Sequence, residues 1–192
     1  MKYNELMKRI FDFSLALVSL LILLLPLSLI ALMVAATSRG PIFYWSQRVG
    51  KNNQLFWMPK FRTMRVNTPT LATHLLENPN QWLTPIGSIL RKTSLDELPQ
   101  LWSILVGDMS FVGPRPALFN QDDLITLRSQ HGVHALTPGL TGWAQINGRD
   151  ELPISQKVAF DIEYLQRKTL WFDIEIILKT FLKVLSHQGI YH

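Results

Sequence analysis

Phe13-Ser14-Leu15-Ala16-Leu17-Val18-Ser19-Leu20-Leu21-Ile22-Leu23-Leu24-Leu25-Pro26-Leu27-Ser28-Leu29-Ile30-Ala31-Leu32-Met33-Val34-Ala35-Ala36 is a run of 24 residues without a charge. A water-soluble core helix rarely stays apolar on every face for so long, whereas a bilayer segment of about 20 residues does. The competing reading is a cleaved leader, with Val34-Ala35-Ala36 as a weak cleavage site. The apolar part of a leader runs only about 7–15 residues, which argues against it. Pro26 stands inside the run. It lacks a backbone donor and clashes with the carbonyl one turn back, so a kink or break is expected there. Ser19 and Ser28 are the nearby hydroxyls that could serve the freed backbone groups. Lys2, Lys8 and Arg9 precede the run; Arg39, Arg48, Lys51, Lys60, Arg62 and Arg65 follow it, with no acid between Thr37 and Leu76. Positive charge marks the cytoplasmic side, and here both flanks carry it. A helix broken at Pro26 that enters and leaves by one face satisfies both flanks.

Beyond Ala36 no second uncharged stretch is long enough to span, so residues 39–192 are expected to form one compact cytoplasmic domain after a membrane segment at 1–38. The 192 residues suit one compact domain, or one domain with an appendage. Hydrophobic residues make up 47% and charged residues 17%, which excludes an intrinsically disordered chain. There is no cysteine, which excludes disulfide scaffolds, thiolate zinc sites and cysteine nucleophiles. A net charge of +5 with six Trp, four Tyr and ten Phe points to a membrane interface or a nucleic-acid surface. The Lys and Arg residues are spread from residue 2 to 183 rather than clustered in a stripe, so nucleic acid is not expected as a partner.

Pro41 to Met64 mixes aromatics with the turn formers Arg48-Val49-Gly50-Lys51-Asn52-Asn53 and reads as extended segments around a turn. Helical pattern covers Pro85 to Arg91, Asp96 to Leu105, Asp122 to Gln130, Glu151 to Arg167 and Leu170 to Ser186. In the last, Trp171, Ile174, Ile177, Leu178, Phe181 and Leu185 form one stripe, which serves equally a packed core or a seat among lipid headgroups. The expected class is α+β, mainly helical, with a re-entrant membrane helix and amphipathic interfacial helices on a cytoplasmic domain.

Chemistry concentrates in Arg91-Lys92-Thr93-Ser94-Leu95-Asp96-Glu97-Leu98-Pro99-Gln100. Ser94 with Glu97 three residues on is a capping-box pattern, placing both acids in the first turn of a helix. The pair could merely complement the helix dipole, or hold a divalent cation, with Mg²⁺ favoured beside phosphate. Downstream, Pro114 and Pro116 bracket Arg115 and present its guanidinium with little entropy to lose, suited to phosphate or to a plain rigid turn. Thr137 to Arg149 adds three glycines, an aromatic, amides and another Arg. Neither standard phosphate loop is present, and His131 and His134 lack an HExxH context.

Lys60-Phe61-Arg62-Thr63-Met64, Thr93 to Gln100, Gly107 to Pro116 and Pro138 to Arg149 together resemble the bacterial sugar transferase family, the monotopic phosphoglycosyl transferases. The resemblance runs from the membrane segment through Asp173, and the chain is expected to be the minimal single-domain form. It implies transfer of a sugar 1-phosphate from a UDP-sugar to polyprenyl (undecaprenyl) phosphate at the bacterial inner membrane, with release of UMP. It also implies a ping-pong route, with Asp96 as nucleophile, Glu97 as its partner and Mg²⁺ at the pair. Glu97 as metal ligand and Glu97 as proton handler both stay open. Arg115 is placed to grip phosphate or nucleotide, and Arg48, Lys60, Arg62, Arg149 and Asp173 fall at motif positions. The family also has a re-entrant helix with a central proline, commonly preceded by Ser; here Leu25 precedes Pro26. The competing class is a non-enzymatic membrane-surface module whose basic residues only hold anionic lipid.

Overall fold

The computed structural model describes residues 4–68, 78–148 and 152–185. Its first element, helix α1 (Glu5–Thr37), opens at Asn4, whose side chain accepts hydrogen bonds from the Leu6 and Met7 amides at 3.0 and 3.3 Å. That is the N-cap role Asn favours, satisfying donors that have no partner in the first turn. At 33 residues α1 is about 50 Å long. Among the described residues it is the helix long and apolar enough to cross a membrane. One stripe at helical spacing, Lys8, Asp12, Ala16, Leu20, Leu23, Leu27, Ile30 and Val34, turns inward, while Leu21, Ile22 and Leu25 are each more than two-thirds exposed. Ala16 packs with Met58, Leu101, Ile104 and Met109; Ile30 and Val34 pack with Phe61 and Leu90. Both halves of α1 therefore rest on the same body.

The expected break at Pro26 is absent, since helix runs unbroken through it. Each half has its own contacts, so loss of one backbone bond is tolerated. Ser28 Oγ donates to Leu24 O at 2.8 Å rather than to the carbonyl four residues before Pro26. Polar ties hold the ends. Lys8 Nζ lies 2.9 Å from Asp12 and 3.1 Å from Asp173, and Arg9 donates to the Ile104 and Leu105 carbonyls. At the far end Arg62 donates to the Ser38 and Arg39 carbonyls, closing the helix C-terminus.

The extended segments form an antiparallel hairpin, β1 (Phe43–Val49) with β2 (Leu55–Phe61), in the register Tyr44 to Lys60 and Arg48 to Phe56. Its turn uses Asn52 and Asn53 at φ 55° and 58°, a left-handed conformation that asparagine tolerates better than most residues. Helices α2 (Gly87–Lys92) and α3 (Gln100–Val106) follow. Then come β3 (Ser110–Val112), β4 (Ala117–Leu118), α4 (Asp122–Gln130), β5 (Gly139–Thr141), α5 (Trp143–Asn147), α6 (Ile154–Arg167) and α7 (Leu170–Leu185). β4 joins the edge of β1, and β3 pairs with β5 in parallel. The main core gathers Val112, Val133, Leu136, Ile146, Tyr164, Phe172 and Ile176.

One local expectation is corrected. Ser94 adopts φ 57° and caps nothing with its side chain, so no capping box forms. Residues Leu95–Glu97 make a 3₁₀ turn instead, and α3 starts only after Pro99. In α7 the inward residues are Phe172, Asp173 and Ile176. Of the expected stripe, Trp171, Leu178 and Phe181 face outward at 78%, 59% and 62% exposure, so α7 is apolar on two sides.

Candidate active site

Asp96 and Glu97 ride the 3₁₀ turn between α2 and α3, where successive side chains diverge and meet different surroundings. Glu97 is pinned. Lys60, near the end of β2, and Arg115, in the turn after β3, both reach its Oε1, at 2.7 and 3.2 Å. Burial opposes ionisation of Glu97, but Lys60 and then Arg115 override it and hold the carboxyl well below the usual carboxylate range.

Asp96 is more deeply enclosed, at 8% exposure. Burial raises its carboxyl from the ordinary 3.8 to about 6; Lys60 and Arg91 pull it down, while Glu97 adds to the rise. Among the described residues, the ion pairs fall on Glu97 and none on Asp96. The two neighbours thus split into a permanently charged, cation-held carboxylate and a carboxyl poised near neutrality. Such a division is what separate chemical duties require.

Arg91 belongs to this group, although the sequence marks it only as a neighbour of the acids. Its Nε donates to Thr63 Oγ1 at 3.0 Å, and burial lowers its pKa against the opposing pull of Asp96. The signal that could have singled it out is its position on the last turn of α2, five residues before Asp96. Pro114 and Pro116 flank Arg115 without lending donors, and their carbonyls accept bonds from Gly139 N and Arg48 Nη1 at 2.9 and 3.3 Å. Arg48 therefore serves the Arg115 segment through the backbone.

Other motif residues lie elsewhere. Arg62 is 5% exposed and closes the end of α1. Asp173 is fully buried, held by Lys8 and by Tyr164 Oη at 2.7 Å, so it ties α7 to α1 and is not seen against the acid pair. Burial lifts its carboxyl above the ordinary range, partly offset by Lys8. Pro26 is exposed on α1, and Arg149 lies outside the described residues.

No cluster of three or more metal-ligating side chains occurs among the described residues. Mg²⁺ does not need one, since it commonly takes one or two carboxylates and completes its shell with phosphate and water. Lys60 and Arg115 both engage Glu97 Oε1. That leaves Glu97 Oε2 and the Asp96 carboxylate as an oxygen donor set of the right kind.

The sequence that builds this arrangement is similar to known proteins along nearly its whole length. The bacterial sugar transferase family model matches residues 3–187. The chain is 39% identical to the UDP-glucose:undecaprenyl-phosphate glucose-1-phosphate transferase of Escherichia coli (strain K12), over 98% of this chain and 42% of that protein. It is 39% identical to the exopolysaccharide production protein ExoY of Rhizobium meliloti (strain 1021), over 96% of this chain and 88% of that protein. It is 38% identical to the uncharacterized sugar transferase EpsL of Bacillus subtilis (strain 168), over 96% and 90%. The chain thus spans about two-fifths of the longer relatives, such as the E. coli transferase, and most of the shorter ones. With the match running through every segment that builds the acid pair and its cations, this chain belongs to the bacterial sugar transferase family.

Proposed function

We propose that this protein transfers a sugar 1-phosphate from a UDP-sugar to undecaprenyl phosphate, releasing UMP, as an early membrane step of bacterial polysaccharide assembly. The observation that carries this reading is the split acid pair: Asp96 close to neutrality beside a Glu97 locked between Lys60 and Arg115. The names of the relatives point the same way.

In the first step an Asp96 carboxylate oxygen attacks the sugar-bearing phosphorus of the donor. The bond from that phosphorus to the bridging oxygen breaks, and UMP leaves with that oxygen. In the second, a phosphate oxygen of the polyprenyl acceptor attacks the same phosphorus, and the Asp96 carboxylate departs. An aspartyl phosphosugar divides one difficult transfer into two easier ones. A diphosphate repels an attacking carboxylate, and Arg91, Lys60 and Arg115 supply fixed positive charge against that repulsion. Mg²⁺, held by Asp96 and Glu97 Oε2, would add charge neutralisation of the donor's phosphates. Glu97 keeps Lys60 and Arg115 converged on the site.

The acceptor cannot leave the bilayer, so the site must lie at headgroup level and face the cytoplasm, where UDP-sugars are found. We place α1 in the cytoplasmic leaflet of the inner membrane with both ends on the cytoplasmic side. A helix docked along its whole length on one domain cannot put that domain's two contact zones on opposite sides of a core of about 30 Å. The outward face of α7, with Trp171 and Phe181, sits among the headgroups.

The decisive experiment incubates the purified protein with Mg²⁺ and a panel of UDP-sugars, with and without undecaprenyl phosphate. UMP release and a sugar-phosphate adduct on the Asp96 peptide, seen by mass spectrometry without acceptor, are expected. UMP release only when both substrates are present would replace the covalent route with a ternary complex. No release from any donor would leave the membrane-surface module as the better account.

A further inference from the structure

Arg115 sits in a segment that cannot hold itself in place. Pro114 and Pro116 carry no N–H, so their only backbone hydrogen-bonding groups are carbonyls. All three carbonyls from 114 to 116 are engaged, each from a different element: Pro114 O by Gly139 N of β5, Arg115 O by Arg128 Nη1 of α4 at 2.8 Å, and Pro116 O by Arg48 of β1. The middle bond comes from a buried group. Arg128 is 9% exposed, and its Nε and Nη2 donate to Asp161 Oδ2 on α6 at 2.9 and 2.7 Å. Asp161 is itself 2% exposed. A pair used only to join α4 to α6 would leave the third edge of the guanidinium to water or a nearby helix. Here that edge points at the carbonyl of the residue whose own side chain reaches Glu97.

We propose that Asp161 and Arg128 are positioning residues for Arg115, a proposal that rests on the phosphoglycosyl transfer reading above. Asp161 orients the Arg128 guanidinium by accepting from Nε and Nη2 along one edge, and Arg128 then fixes the Arg115 backbone through Nη1. Fixing the backbone aims the Arg115 guanidinium at Glu97 and at the donor's diphosphate. Small displacements at such a distance from the chemistry are costly, because transfer depends on near-ideal alignment. The sequence carries no mark of this chain of contacts, since its members lie 13 and 33 residues apart.

The test is Arg128→Lys in the full chain. Lysine keeps the charge and can still pair with Asp161, but it cannot hold Asp161 and the Arg115 carbonyl together as a fork does. Two readouts are made. Hydrogen exchange should accelerate about tenfold or more at the Gly113 and Gly139 amides, which donate to Thr141 O and Pro114 O, while the β1 and α1 amides keep their rates. UMP release should fall at least about tenfold in kcat with UDP-glucose, UDP-galactose or UDP-N-acetylglucosamine, whichever the parent uses. Adding Arg115→Lys to Arg128→Lys should then cost clearly less than it costs the parent, the non-additivity expected of residues acting as one unit. Uniform acceleration of exchange, no acceleration, or fully additive kinetics would overturn the proposal. A parent that turns over none of the donors, with exchange still locally accelerated, would instead overturn the transferase reading and leave the positioning intact.

Discussion

Two neighbouring carboxylates in this protein carry opposite stability signs. Asp96 has a folded-state pKa raised to about 6 from 3.8, so the folded state holds its proton more tightly than the unfolded chain. The stability this gives is complete below about pH 4 and is lost as pH rises through 6. At pH 7.5 the ionised group costs about 3 kcal/mol. Asp96→Asn should therefore abolish turnover while raising Tm at pH 7.5, with the gain gone near pH 4; thermal scans at both pH values without divalent metal check it. The kcat/KM profile of the parent should fall on the acid side of about pH 6, because only the ionised carboxylate attacks. Glu97 has the reverse sign, being held below its ordinary range by Lys60 and Arg115. Glu97→Gln should lower stability at pH 7.5 by about 2 kcal/mol, since it leaves two cations facing each other without their anion. A Tm for Glu97→Gln equal to or above the parent's would refute the pinned-carboxylate account.

Among the elements, α1 and α7 hold the membrane argument. The chain has no cysteine, so a single Lys2→Cys label is unambiguous. With both halves of α1 resting on one domain, that cysteine should resist an impermeant maleimide in intact cells and react after permeabilisation. Labelling without permeabilisation would mean that α1 crosses the bilayer. α7 presents Leu178 and Phe181 to the outside, and neither supports the core. The double change Leu178→Gln with Phe181→Gln should leave Tm within about 2 °C, as expected of surface substitutions. It should also weaken co-sedimentation of detergent-free protein with anionic vesicles several-fold. Unchanged sedimentation would remove α7 from the membrane interface. The boundaries of α4 and α7, and the hairpin of β1 and β2, were legible because apolar period and turn residues are local signals. The 3₁₀ turn at Leu95–Glu97 was not, because Ser94 in a left-handed conformation breaks the capping pattern its side chain advertises.

At the scale of the whole molecule, one buried ionic cluster joins the beginning of the chain to its end. Lys8 on α1 bridges Asp12 and Asp173, Tyr164 Oη contacts both Asp173 and the Val112 carbonyl, and Asp12 accepts from the Phe111 amide. Lys8→Met leaves two buried aspartates without their cation and should cost about 3–5 kcal/mol. The loss should be greatest near neutral pH and shrink in acid, as Asp173, already raised by burial, takes up a proton. Thermal scans in detergent from pH 4 to 8 check it, and a pH-independent loss would point to packing alone. The sequence by itself determined the apolar helix, the alternation of hairpin and helices, the family and the acid pair, because those are encoded in short runs and fixed spacings. Only the tertiary structure decided what each charge does. It tied Asp173 to Lys8 and Arg62 to the end of α1, and joined Lys60 and Arg115 on one oxygen of Glu97. It also carried α1 unbroken through Pro26 along a single domain. The physical reason is distance along the chain. Burial and pairing, which set the charge state and duty of an ionisable group, arise from partners tens to more than a hundred residues away, and no local pattern records them.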